Sequence, residues 1–117
     1  MRHHNKNRTL SRTRRGRTAL LRGLAVSLLD NGAITTTEAK AKELRPFVER
    51  LITRAKTDSV ASRRLIASRL GEPNGEVVKK LFGEIAAKYT ERAGGYTRII
   101  KMGPTAAGRR DAVIELV

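Results

Sequence analysis

The chain has 117 residues and a formal net charge of +14, from 25 Lys and Arg against 11 Asp and Glu, and it contains no cysteine. That length suits one domain with a modest core; the missing cysteines exclude disulfides and thiolate metal sites, and no apolar run approaches the roughly 20 residues that span a bilayer. Self-repulsion at this charge opposes a compact state unless counter-charge lies nearby, so a polyanion is the expected partner, nucleic acid first and an anionic membrane surface second.

Charge is concentrated at the start. Residues 1–22 carry Arg2, Lys6, Arg8, Arg12, Arg14, Arg15, Arg17 and Arg22, and no acid precedes Asp30. Leu10 is the only large apolar residue between Met1 and Ala19. Such a stretch cannot bury enough apolar surface to offset the entropy of ordering it. The expectation is a basic, extended arm over residues 1–16 that orders on a polyanion, followed by one compact domain over residues 17–117. The apolar patches at 19–21 and 24–29 are short and split by Arg22, which argues against a signal peptide. An organelle transit peptide is the minor reading of an Arg-rich, acid-poor start.

From about Arg17 the pattern turns helical, with Leu20, Leu21, Leu24, Ala25, Leu28 and Leu29 recurring at three and four residues. Asn31-Gly32 is the stop, since glycine can take the left-handed conformation that closes a helix. Arg14, Arg15 and Arg17 at the start of this helix oppose its dipole, which makes sense if a phosphate sits among them. Ala33-Ile34-Thr35-Thr36 reads as a short strand. Thr35 and Glu38 have the spacing of a capping box, with Thr37 as a competing cap. A second helix carries Leu44, Phe47, Val48, Leu51, Ile52 and Ala55 on one face. Pro46 either kinks it or divides it in two; the unbroken phase of the apolar face favours a kink.

Thr57-Asp58-Ser59 caps a third, shorter helix with Val60, Ala61, Leu65 and Ile66, ending at Leu70-Gly71. After the turn at residues 72–75 a fourth helix has the cleanest period, through Val77, Val78, Leu81, Phe82, Ile85, Ala86 and Tyr89. It dissolves at 92–95. The segments 96–102 and 112–117 are β-like. The stretch 103–111 between them is too long for a tight turn but suits an antiparallel hairpin with a flexible tip.

Catalytic constellations are missing. His3 and His4 are the only histidines, and a pair in an unstructured arm has no fixed geometry for metal, so they read as phosphate or base contacts. Glu38, Glu43, Glu49, Glu84 and Glu91 sit among cations and read as salt-bridged helix faces. No serine or threonine has an activating partner, and the glycines form no phosphate-loop or dinucleotide fingerprint. No enzyme, cofactor site or small-molecule substrate is therefore expected; a small enzyme would need a site the sequence does not show.

The basic residues are more informative. Beyond the arm they cluster as Lys40, Lys42 and Arg45; as Arg63, Arg64 and Arg69; and as Arg92, Arg98, Lys101, Arg109 and Arg110. Residues 1–22 hold seven arginines to one lysine, and a guanidinium grips two phosphate oxygens at once or stacks on an exposed base. Phe47, Phe82 and Tyr89 lie on apolar helix faces and read as core, whereas Tyr96 reads as a strand-end contact. No aromatic stacking platform is evident, so recognition is expected through backbone, shape and 2′-hydroxyls.

Separated matches in the right order then identify a family. They are Met1-Arg2-His3, Leu10 and Arg12, Ile34-Thr35-Thr36-Thr37, the run from Lys40 to Arg45, Leu51-Ile52, Ala55-Lys56, Arg63-Arg64-Leu65, Lys80-Leu81-Phe82, the run from Gly94 to Ile99, and Ile114-Glu115-Leu116-Val117. Over essentially its whole length the sequence resembles the bacterial family of the seventeenth protein of the large ribosomal subunit. Thr13-Arg14-Arg15-Gly16 and the 103–111 loop depart from the family pattern. The resemblance implies a two-layer α/β (α+β) body: helix, strand, three helices, two strands, with a small mixed three-stranded sheet under the helices. It implies a structural constituent of the cytoplasmic ribosome that binds large-subunit ribosomal RNA and neighbours other ribosomal proteins near the polypeptide exit region, with no enzymatic role and no membrane.

The expected RNA-binding residues are Arg2, His3, Lys6, Arg8, Arg12, Arg14, Arg15, Arg17 and Arg22. Lys40, Lys42, Arg63, Arg64, Arg98 and Lys101 form a second rank on the body. A nucleoid-associated DNA-binding protein is the competing reading, disfavoured because no helix-turn-helix spacing and no apolar wedge on a basic ribbon is visible.

Overall fold

In the computed structural model, residue 10 and residues 13–71 and 75–117 are described. Helix α1 spans Arg14–Asn31, strand β1 Ala33–Thr37, helix α2 Glu38–Ala55 and helix α3 Val60–Arg69. A fourth helix, α4, covers 75–88: it is α-helical over Gly75–Lys80 and Ala86–Lys88, with a π-helical turn over Leu81–Ile85 between them. Strands β2 (Thr97–Pro104) and β3 (Arg110–Leu116) follow. The order helix, strand, three helices, two strands agrees with the periodicity.

The local chemistry explains most boundaries. Thr13 caps α1 by accepting from the Gly16 amide at 3.2 Å, so the helix begins three residues before the Arg17 expected. Arg14, Arg15 and Gly16 are therefore helical. Gly32 closes it at φ +83°, its N–H donating to the Leu28 carbonyl at 2.7 Å. Of the two candidate caps before α2, Thr37 is the one used, accepting from the Lys40 amide at 3.3 Å. A single helix runs through Pro46, so two helices do not meet near Arg45. Ser59 caps α3.

The sheet has the order β1-β3-β2, and both pairings are antiparallel. The expected mixed sheet is thus corrected. The β2–β3 hairpin returns the chain between β1 and β2, so the two strands that point the same way never pair. The hairpin is also longer than the sequence suggests. Pairing continues to Gly103↔Asp111 and Pro104↔Arg110 after a bulge between Lys101 and Gly103, which leaves a tip of only 105–109. Gly103 and Gly108 take φ +81°, and the tip closes with the Thr105 amide on the Arg109 carbonyl at 2.6 Å.

Helix α2 is the central element. It packs on α1, α3, α4 and all three strands, and buries Ala41, Leu44, Val48, Leu51, Ile52 and Ala55. Leu28 and Leu29 of α1, Ile66 of α3, Leu81, Phe82 and Ile85 of α4, Tyr89 just past its end, and Ala112 and Ile114 of β3 join them in the core. Tyr96, expected as a strand-end contact, is instead 1% exposed and among the most deeply buried side chains. Its ring centroid lies 5.1 Å from that of Tyr89, and its hydroxyl shares a 3.0 Å hydrogen bond with Thr53 Oγ1. An aromatic ring preceding a strand is stabilised more by filling the gap between α2 and α4 than by facing solvent.

Candidate nucleic-acid interface

The first turn of α1 presents Arg14, Arg15 and Arg17 and contains no acid. Amide groups at a helix start and guanidinium groups both favour an anion, so this end combines two sources of positive potential. Arg14 and Arg17 line a groove between α1 and α2, about 290 Å³ in volume, together with Leu21, Glu43, Phe47 and Arg50. A shallower depression on the same helix is lined by Arg14, Arg15, Thr18, Ala19 and Arg22.

Arg22 has a structural task as well. Its Nε donates to the Arg69 carbonyl at 3.0 Å, placing a cation on the last carbonyls of α3, where the helix dipole is negative. A Cβ on Gly71, at φ +79°, would stand 3.2 Å from Arg22 Cδ, so glycine serves there both conformation and close approach. Lys80 does the same for α1, donating to the Asp30 carbonyl at 2.6 Å.

A second, larger groove of about 680 Å³ lies between α2, α3 and the segment leading into β2. Its floor includes Leu51, Leu65, Ile66 and Tyr96, and Arg50, Arg54 and Arg69 stand on its rim. Pro46 and Arg50 line both grooves. The cations of α1 therefore run on into those of α2 and α3.

On α2, at the start of α3 and on the β2–β3 hairpin, by contrast, several basic side chains are paired with carboxylates. Arg63 makes a two-pronged pair with Asp58 at 2.7 and 2.9 Å and lies 5.0 Å above the Phe82 ring. That hydrogen bond holds the Asp58 carboxyl below its ordinary range and raises the Arg63 guanidinium. Lys42 and Lys101 converge on Glu38 at 3.0 and 3.6 Å. The Lys42 hydrogen bond lowers the Glu38 pKa, against the opposing effect of desolvation, with the charges of Lys42, Lys101 and Arg110 adding to it. Arg98 pairs with Glu115 directly across the β2–β3 ladder, Arg109 pairs with Asp111 at 2.9 Å, and Arg45 reaches Glu49 at 3.4 Å.

The residues expected from sequence thus separate. Arg2, His3, Lys6, Arg8 and Arg12 lie outside the described residues. Arg14, Arg15, Arg17 and Arg22 stand together on α1. Of the second rank, Lys42, Arg63, Arg98 and Lys101 are ion-paired, whereas Lys40 and Arg64 have no carboxylate partner among the described residues. Arg50 and Arg54 are not among the residues expected from sequence. A like-charged i,i+4 pair is unfavourable on an isolated helix, and that spacing is the one signal the sequence offers for them. No three His, Cys, Asp or Glu side chains among the described residues group to hold a metal, and no helix among them is long and apolar enough to cross a membrane.

Comparison with known proteins gives one consistent result. The family model for ribosomal protein L17 matches residues 20–117. A large ribosomal subunit protein bL17 from Gemmatimonas aurantiaca is 52% identical over 118 residues, covering 100% of this chain and 98% of its own. The protein of the same name from Sphingopyxis alaskensis is 50% identical, covering 100% of this chain and 84% of its own. That from Staphylococcus haemolyticus is also 50% identical, covering 94% and 97%.

Proposed function

Since the chain belongs to the ribosomal protein L17 family, and is thereby a structural protein of the large ribosomal subunit rather than an enzyme, we propose that it is held there by binding large-subunit ribosomal RNA through its basic N-terminal segment and the face that α1, α2 and α3 share. The observation that carries this reading is the uneven pairing of charge. Arg14, Arg15, Arg17, Arg50, Arg54 and Arg69 have no carboxylate partner among the described residues and line connected grooves, while the cations of the β2–β3 hairpin are largely neutralised.

A polyphosphate is the counter-charge such a face calls for. Neutralising phosphates releases their condensed counterions, which supplies affinity without requiring base recognition. Arg2, His3, Lys6, Arg8 and Arg12 extend the same cationic track beyond α1 in sequence. Lys40 and Arg64 remain candidate contacts on the body. Lys42, Arg63, Arg98 and Lys101 rank below them, because each would have to leave or share a carboxylate. Neighbouring large-subunit proteins near the exit region are the other partners in this reading, and the cytoplasmic ribosome is its setting.

Competition at equal salt between large-subunit ribosomal RNA and duplex DNA of matched length tests it. The RNA should win. Preference for the duplex would favour a nucleoid protein and defeat the proposal.

A further inference from the structure

The groove between α2 and α3 has features that plain phosphate neutralisation does not use. Its volume of about 680 Å³ falls within the range of small-ligand sites, roughly 300–1,000 Å³. Its floor is apolar and firmly packed: Leu51 is 2%, Ile66 0% and Tyr96 1% exposed. Those side chains belong to the core and close the groove from beneath, and the partly exposed Leu65 is apolar surface left open above them. The groove also has polar atoms at one side, where Thr53 Oγ1 and the Tyr96 hydroxyl bond each other at 3.0 Å.

Its rim is arginine, from Arg50, Arg54 and Arg69. An apolar slot with guanidinium groups on its lip matches a ligand that is flat and apolar in one part and anionic in the next. Because Pro46 and Arg50 also line the groove that starts at Arg14 and Arg17, a phosphate chain following the α1 cations is delivered to this opening. We propose that the α2–α3 groove is a nucleotide pocket, taking one unstacked base of the bound RNA onto Leu65 while Arg50, Arg54 and Arg69 hold the flanking phosphates.

This inference rests on the RNA-binding reading above. Sequence-specific RNA recognition favours bases splayed from the helix, since the deep groove of duplex RNA is closed to side chains. Here the base rests on the partly exposed Leu65 rather than on an exposed aromatic.

The test uses the full chain and in vitro transcribed large-subunit ribosomal RNA carrying 4-thiouridine. Irradiation should crosslink the RNA to residues between 46 and 69 as well as to α1. Leu65→Gln, which removes apolar surface and no charge, should weaken RNA binding roughly tenfold, the effect of losing much of one leucine's apolar burial, with little change in salt dependence. Arg50→Gln with Arg54→Gln should weaken binding and make the salt slope shallower by about two, one for each phosphate that is no longer neutralised.

Thermal melting checks that Leu65→Gln is folded, and the crosslink map of the unmodified chain is independent of any variant. Steep, salt-dependent RNA binding with no crosslink between 46 and 69, or with full affinity in folded Leu65→Gln, overturns the pocket and leaves the cationic interface standing. Absence of preferential RNA binding by the unmodified chain removes both.

Discussion

Thr97 shows how single side chains set this fold. It is 3% exposed, yet its hydroxyl is satisfied, donating to Glu49 Oε2 at 2.7 Å. That bond ties the start of β2 to the middle of α2. Thr97→Val keeps the shape and deletes the donor, so it should lower unfolding free energy by about 1.5–3 kcal/mol, as expected for a hydrogen bond to a charged group. Chemical denaturation of Thr97→Val, Glu49→Gln and the double variant should return a coupling of about 1 kcal/mol; strict additivity would mean that the bond does not contribute in solution.

At this scale the sequence is only partly legible. The apolar faces of α2 and α4 are readable because a 3.6-residue period depends on the chain alone. The partners of Thr97, Tyr96 and Lys101 are not, because Glu49, Thr53 and Glu38 reach them only through the fold. For the same reason the six second-rank arginines and lysines, which look alike in the sequence, divide into four with carboxylates and two with none among the described residues.

The elements are bounded by short-range chemistry, visible in advance at Thr37, Ser59 and Gly32 but not at Thr13. Thr13, Thr37 and Ser59 each accept from an amide three residues on, and such caps contribute about 1 kcal/mol each. Gly32 has two roles: it ends α1 at φ +83°, and its carbonyl accepts from the Leu116 amide at 2.9 Å, fastening the helix end to β3. No atom lies within 4 Å of a Cβ placed there, so the penalty for substitution is conformational rather than steric. Gly32→Ala should cost about 1–2 kcal/mol, the penalty of a left-handed L-residue, and Gly32→Asn less. Melting temperatures of the two variants check the order.

Three features escape the periodicity for physical reasons. The π turn at Leu81–Ile85 keeps the apolar phase well enough to pass as α-helix. The hairpin bulge lets pairing extend through Pro104, although proline usually marks a strand's end. The sense of strand pairing depends on which strand is inserted between the others, and no local pattern encodes that.

Across the whole molecule, the distribution of charge matters more than its total. Carboxylates meet cations on α2, at the start of α3 and along the β2–β3 hairpin. The arginines of the first turn of α1, with Arg50, Arg54 and Arg69, meet none among the described residues. The family resemblance, carried by motifs spread over the entire chain, makes the large-subunit assignment legible before any fold is considered. The cationic α1–α2–α3 face is not legible, because Arg14 and Arg50 are brought to one groove only by helix packing. In the RNA-binding reading proposed above, the unbalanced charge of the α1–α2–α3 face is what meets phosphate, while three of the hairpin's cations are already paired with carboxylates.

The salt dependence of the full chain's affinity for large-subunit ribosomal RNA tests this account most directly. If its cations neutralise six to eight phosphates, the logarithm of the affinity should fall with the logarithm of salt at a slope of roughly −5 to −7, on the duplex coefficient. A slope shallower than about −2 would contradict it, because so few released counterions leave most of these arginines without a phosphate.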